Sequence, residues 1–360
     1  MNLTVKLKLL PTEEQKQALL STMRAFNNAC NYVSEIAFTN KMYSKFKLQK
    51  IVYYHIRECF NLSSQMAVRV VGKVTETYKV DKSVQHHFSN YSAMVYDDRI
   101  MTIKGLERVS LLVLGSRIII PFVFGEYAQL KVKRIRGQSD LIYKNNNFYL
   151  CVVVDVPEPD PINPKEFLGV DLGIINLATT SDGEIYSGEQ VNNKRIQIEG
   201  LKSRLQSKKT KSSKRHLKKL SGKERRFKSN INHIISKKIV SKAKALGVGI
   251  ALEDLTYFKP TVNKPRKERS RYGKWAFSEL KVYVEYKSKL SGIPVVTVDP
   301  CNTSRECSKC GYTDKKNRLN QSEFKCISCG YESNADLNAS FNISKRAKVT
   351  WPIVSSKRIA

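Results

Sequence analysis

The chain has 360 residues, 41% of them apolar, which is enough for two or three domains around sizeable cores. Its 63 Lys+Arg against 32 Asp+Glu leave a formal charge of +31, a balance expected of a protein that neutralises a polyanion, nucleic acid before an anionic membrane surface. No apolar run of about eighteen residues occurs, so no segment is expected to span a bilayer. The opening MNLTVKLKLLPTEEQ lacks an apolar leader core, so a cytoplasmic or nuclear protein is expected, and eight cysteines in a chain this long do not make a disulfide scaffold.

Residues 3–9 alternate apolar and polar, the period of a half-buried strand. Thr12 and Gln15 then fit a capping box, and Leu19, Leu20, Met23, Phe26, Cys30, Val33, Ile36 and Ala37 follow at helical spacing. Two more helices are expected across 46–60 and 63–80. From 91 to 156 the pattern turns to short β runs: SLLVLGSRIIIPFVFG, YAQLKVKRIRG and NFYLCVVVDV. The first strand is expected to join that sheet, leaving 12–85 as a helical insertion.

PEPDPINP (157–164) reads as a linker and a domain boundary. After it, strands are expected at 167–171, 176–180 and 184–187, with a Ser181-Asp182-Gly183 hairpin between the last two. A basic helical stretch (194–244), a strand in GVGIALEDL, a helix (277–292) and a strand (293–300) complete the pattern. A β meander followed by alternating helices and strands matches an α/β RNase H-like sheet.

Residues 194–244 hold nineteen Lys/Arg against Glu199 and Glu224, +17 of the total charge on fifty-one residues. Solvated faces normally mix signs, so one-sign density of this kind is expected to track phosphates. Lys208, Lys209, Lys211, Lys214, Arg215, Lys218, Lys219, Arg225 and Arg226 are the candidate contacts. A second patch, KPRKERSRYGKW (264–275), adds Arg266, Arg269 and Arg271 beside aromatic residues able to stack on bases.

Cys307, Cys310, Cys326 and Cys329 form two CxxC pairs fifteen residues apart, the spacing of a four-cysteine zinc ribbon. Gly311 and Gly330 follow each second cysteine, where a knuckle needs unusual φ/ψ. Four filled positions leave no open site, so this zinc is expected to be structural. Cys30, Cys59 and Cys151 read as core, and Cys301 as supernumerary.

Three acids stand out by context. Asp171 ends the apolar Phe167–Val170 run, Glu253 ends Val248–Leu252, and Asp336 opens a helix in NADLNAS. A carboxylate in an apolar strand is costly unless paired or metal-bound. Phosphodiester cleavage supplies a reason, because two Mg²⁺ ions about 4 Å apart need converging carboxylates. Asp254 is the alternative to Glu253, although alternation sends their side chains to opposite faces. Asp299 is a fourth candidate.

With these residues in view, the chain resembles the TnpB family of transposon-encoded RNA-guided nucleases, related to type V CRISPR effectors. The resemblance rests on GVDLGIINLATTSDG, ALEDL, the WAFSEL…YKSKLSGIPVVTVDP block, TSRECSKCG and CGYESNADLNASFNI, in that order.

It implies a RuvC-like nuclease domain at 161–360 with a zinc ribbon inserted at 302–333. It further implies an oligonucleotide-binding β-barrel wedge domain at 1–11 and 86–160, carrying a helical recognition lobe at 12–85. Catalytic acids would fall on Asp171, Glu253 and Asp336, holding two Mg²⁺, with one Zn²⁺ on the four cysteines. The implied partners are a guide RNA from the transposon end and double-stranded target DNA, one RNA per monomer and no membrane. The implied activity is Mg²⁺-dependent DNA cleavage; strand transfer on the same acids, and guided repression without cutting, are the alternatives.

Overall fold

The computed structural model describes residues 1–105, 107–125, 135–255 and 277–356. The second basic patch, with Arg266, Arg269 and Arg271, lies outside the described residues, as does most of YAQLKVKRIRG. The chain divides into two compact units, Met1–Pro157 and Glu158–Ala360.

In the first unit β1 (Asn2–Leu9) is followed by α1 (Glu13–Thr39), α2 (Lys45–Cys59) and α3 (Ser64–Val80). Six strands follow: β2 (Met94–Tyr96), β3 (Met101–Lys104), β4 (Arg108–Val113), β5 (Ser116–Val123), β6 (Ile135–Lys144) and β7 (Asn147–Asp155). The predicted capping box forms, with Gln15 N–H donating to Thr12 Oγ1 at 3.3 Å and Thr12 N–H to Gln15 Oε1 at 3.1 Å.

The strands make one antiparallel sheet in the order β2-β6-β7-β1-β5-β4-β3, with only residues 97–100 between its two end strands in the chain. Leu3, Val5, Leu7 and Leu9 of β1 stand opposite Val154, Val152, Leu150 and Phe148 of β7. The inward residues of both strands share a single core with the apolar stripes of all three helices. Two of the cysteines read as core are not: Cys151 is half-buried, on the face of β7 opposite to Leu150 and Val152 and across from Lys6, and Cys59 is the other. Cys30 is buried, but Cys59 is exposed: it follows Ile56 by three residues on the inward face of α2, yet as the helix's last residue it is left uncovered. Its sulfur instead lies 3.6 Å from His55 Nδ1.

The second unit contains β8 (Phe167–Asp171), β9 (Asn176–Thr180), β10 (Ile185–Ser187), α4 (Glu189–Ser207) and α5 (Lys211–Leu246). It continues with β11 (Gly249–Glu253), α6 (Phe277–Leu290), β12 (Val295–Val298), β13 (Glu323–Lys325), β14 (Glu332–Asn334) and α7 (Ala335–Ser356). The five-stranded order is β10-β9-β8-β11-β12, antiparallel from β10 to β8 and parallel from β8 to β12. The proline-rich stretch packs on this unit, Ile162 N–H donating to Gly292 O and Trp351 Nε1–H to Asn163 Oδ1.

The sheet's two faces carry different cores. Leu168, Val170, Ile250 and Leu252 pack with residues of α5 and α6. Phe167, Ala251, Val296 and Val298 pack with Ile343, Ala347 and Trp351 of α7. This division decides where the acids go.

Candidate active site

Side chains alternate along a strand, so Asp171 shares a face with Phe167 and Gly169, and Glu253 with Ala251. That face is the one α7 covers. The parallel register sets Leu252 beside Val170, which brings Glu253 and Asp171 side by side at the strands' C-terminal ends, the end where open α/β sheets hold ligands. Asp254 points the other way, its carboxylate 3.7 Å from Lys281 Nζ.

Gly169 then allows the third acid in. A Cβ there would come within 2.0 Å of Ser340 O and 2.7 Å of Ser344 N, so α7 crosses β8 in backbone contact. Asn334 caps the helix, its Oδ1 accepting from Asp336 N–H at 3.0 Å and Leu337 N–H at 3.2 Å. Asp336 thereby sits in the first turn, over the same cleft as Asp171 and Glu253.

The cleft holds about 480 Å³ and is lined by all three acids together with Asp299, Cys301, Thr303 and Arg318. Burial pushes the Asp171 carboxyl well above the usual carboxylate range, helped by the charges of Glu253 and Asp336 and opposed by Arg318. Glu253, 8% exposed, is also raised by burial, against the Thr303 hydroxyl and the charges of Arg346 and Arg318. Thr303 Oγ1–H donates to Glu253 Oε1 at 2.5 Å, and Asn176 Nδ2–H to Asp336 Oδ2 at 2.9 Å. Arg318 Nη2 lies 3.7 Å from Asp336 Oδ1. These three neighbours were not legible in the sequence, because each reaches its acid from a distant segment.

The four ribbon cysteines come together. Their sulfurs all lie within 4.8 Å of one another, and among the described residues they are the one group of three or more metal-capable side chains to converge so tightly. Cys307 and Cys329 sulfurs are 3.7 Å apart, Cys310 and Cys326 3.6 Å, against about 3.8 Å for the edge of a zinc–thiolate tetrahedron. The cluster can therefore hold a metal such as zinc.

The two knuckles repeat one geometry. Gly311 and Gly330 have φ of 79° and 69°, and each donates its N–H to the first cysteine's carbonyl, at 2.9 and 3.0 Å. Fully buried Asn317 ties the knuckles together, donating to Arg305 O and Tyr312 O and accepting from Ile327 N–H at 3.0 Å. Cys301 lines the acidic cleft instead and takes no part in the cluster.

α4 and α5 form a helical hairpin. The nine candidate basic residues from Lys208 to Arg226 are all exposed at its turn and along the first half of α5. Glu224, the one acid in 208–226, is occupied by Lys202 at 2.5 Å and Lys228 at 3.6 Å. A separate cleft of about 520 Å³ in the first unit is lined by Phe46, Lys50, Tyr53, Tyr54, Gln65 and Arg99 of and beside α2 and α3. Among the described residues no helix is long and apolar enough to cross a membrane.

A family model described as a probable transposase matches residues 149–260, and one described as a Cas12f1-like TNB domain matches 277–343. The TnpB-like protein MJ0751 of Methanocaldococcus jannaschii is 32% identical over 237 residues, covering 60% of this chain and 84% of that protein. The CRISPR-associated endodeoxyribonuclease Cas12f1 of Sulfoacidibacillus thermotolerans is 32% identical over 249 residues, 64% of this chain and 56% of that protein's length. In fold, the solved mini-RNA-guided endonuclease CRISPR-Cas_phi3 is similar with a TM-score of 0.57, at 10% identity over 97% of this chain and 92% of that one.

Proposed function

The chain belongs to the TnpB family, and from that premise we propose that it is an RNA-guided DNA endonuclease cutting at the cleft of Asp171, Glu253 and Asp336. One observation carries the reading. Strand parity and the α7 crossing bring three carboxylates from β8, β11 and α7 into one cleft, in a unit that also carries a strongly basic hairpin.

In this reading the second unit is a RuvC-like nuclease domain of RNase H-like fold, with the ribbon inserted between β12 and α7. The first unit is an oligonucleotide-binding wedge with α1–α3 as its recognition lobe. Asp171, Glu253 and Asp336 would hold two Mg²⁺ ions, which when bound supply Lewis-acid activation of water and neutralise charge at the leaving oxygen. The donor set suits such ions: three hard oxygen ligands whose burial and mutual repulsion raise Asp171, with neutral donors on Glu253 and Asp336. Asn176 and Thr303 would each engage one oxygen of their acid and leave the other for the ions. Arg318 would balance charge at the cleft's ribbon side, and the four cysteines would hold one structural Zn²⁺.

Base pairing between a guide RNA and target DNA would read sequence, so the protein mainly needs basic channels and stacking surfaces. The exposed hairpin supplies the first. Phe46, Tyr53 and Tyr54 beside Lys50 supply a surface of the second kind. A prokaryotic cytosol is the expected compartment.

The test is to purify the protein from cells carrying its flanking DNA, sequence the bound RNA, and challenge the complex with target plasmids in Mg²⁺. Cleavage is expected, and Asp171→Ala should abolish it while sparing RNA binding. Joined DNA ends formed without RNA would favour strand transfer. A target plasmid left intact by an RNA-loaded complex would make the protein a binder.

A further inference from the structure

Glu253 is a buried carboxylate at a strand end, and a carboxylate so placed takes its orientation from whatever donates to it. Thr303, 3% exposed, brings its hydroxyl 2.5 Å from Oε1 across fifty positions of sequence. Being β-branched, Thr303 is stiff at χ1, so its hydroxyl direction follows its backbone. Pro300 O lies 3.1 Å from the same hydroxyl, in reach as a second acceptor if the carboxylate turns away.

The backbone of Thr303 is in turn held by α7. Asn342 Nδ2–H donates to Thr303 O at 2.9 Å and to Glu306 O at 2.7 Å. Arg346 donates to Asp299 O at 2.8 Å and Cys301 O at 2.7 Å, and pairs with Glu306 at 2.5 Å. Asn338 donates to Glu306 O at 2.8 Å and accepts from Ser308 N–H at 2.9 Å. Asn338, Asn342 and Arg346 stand four residues apart, one stripe of the helix whose first turn carries Asp336. The strap they hold, residues 299–308, enters the ribbon at Cys307.

We infer that Thr303 is a positioning residue for Glu253: its hydroxyl holds one carboxylate oxygen so that the other is presented to a divalent cation in the cleft, while Asn342 holds Thr303. This rests on the nuclease reading above. One helix then sets two acids, Asp336 from its own first turn and Glu253 through the strap.

The experiment compares wild type, Thr303→Val, Thr303→Ala and Thr303→Ser as RNA-free full chains, with Mn²⁺ as the probe. Mn²⁺ binding that is lost in Asp171→Ala is measured by electron paramagnetic resonance, alongside zinc content and Tm. The variants without a hydroxyl should keep zinc and a Tm within a few degrees of wild type, yet bind Mn²⁺ about tenfold more weakly, the low end of the cost of losing a ligand's outer partner. Thr303→Ser should restore binding to within about threefold of wild type. In the RNA-loaded complex, the Mg²⁺ concentration for half-maximal cleavage should rise in Val and Ala and return in Ser.

Equal Mn²⁺ affinity in wild type and Val, or a Ser variant as weak as Val, would overturn the inference alone. Loss of fold in both Val and Ala would make the hydroxyl a bond of the fold and overturn it as well. A wild type that shows no Mn²⁺ binding sensitive to Asp171 would overturn the two-metal reading and this inference together.

Discussion

Gly169 of β8 touches Ser340 of α7 so closely that a Cβ on the glycine would lie 2.0 Å from the serine's carbonyl oxygen. The contact is backbone against backbone, so no rotamer change can relieve it. Gly169→Ala should therefore lift α7 off the sheet and displace Asp336 from Asp171. Overpacking of this kind costs about 1–3 kcal/mol or more, and a misplacement of about 1 Å can cost ~100-fold in rate. The check is Tm together with cleavage rate. A variant that melts lower yet cuts at the wild-type rate would detach α7 placement from catalysis.

The acidic cleft should destabilise the metal-free protein near neutral pH. Burial, then Glu253 and Asp336, raise the Asp171 carboxyl, so the folded state holds that proton more tightly than the unfolded chain. The stability linked to this group is full below the unfolded value and is lost as pH rises toward the folded one. Asp171→Asn in EDTA should thus have the higher Tm at neutral pH, and the difference from wild type should shrink on acidification. A Tm unchanged or lowered at neutral pH would contradict this.

The ribbon should act on the cleft through position and not through chemistry. Cys326 is drawn down to about 7, its burial outweighed by the backbone N–H groups of Cys329 and Ser328, so thiolate is accessible for metal near neutral pH. Cys326→Ser should lose zinc, and cleavage should fall with the folding of residues 299–336. Zinc content, hydrogen exchange across that segment and cleavage rate report on this together. A zinc-free variant that stays folded and cuts normally would leave the ribbon a passive appendage.

Asn317 carries the join between the two knuckles. Asn317→Leu would leave Arg305 O, Tyr312 O and the Ile327 N–H without their present partner. Tyr312 O keeps the Cys307 N–H, but Arg305 O and the Ile327 N–H lose the side chain that joins them, so zinc should leave the variant faster than wild type in a chelator competition, with Asp171 and Glu253 untouched. An unchanged zinc off-rate would refute the bridging role.

The basic hairpin should bind without reading. Converting Lys208, Lys211, Lys214 and Arg215 to Gln removes four exposed cations and should leave Tm nearly unchanged. RNA affinity should fall at moderate salt, and the salt dependence of log K should flatten by about three for four lost contacts, near the 0.7–0.9 per phosphate expected. An unchanged salt slope would place the nucleic acid elsewhere.

Much of this was legible along the chain. A period-two run marks β1, continuous apolar runs mark β8 and β11, and strand alternation separates Glu253 from Asp254. The repeated CxxCGY spacing marked the knuckles, since their geometry is local. Cys59 shares the inward face of α2 with Ile56 and is exposed all the same, because periodicity gives a residue's face and not whether the core still covers that face at the helix end.

What the sequence determined by itself is whatever depends on neighbours within a few residues: strand parity, helix stripes, caps, knuckles and the density of charge. What only the tertiary structure decided is the company each acid keeps. Asn176 reaches Asp336 across 160 positions and Thr303 reaches Glu253 across 50, and both meetings depend on α7 crossing β8 at Gly169. A local period can say which face a side chain takes. It cannot say which distant segment will cover that face, because that is set by packing among elements far apart in the chain.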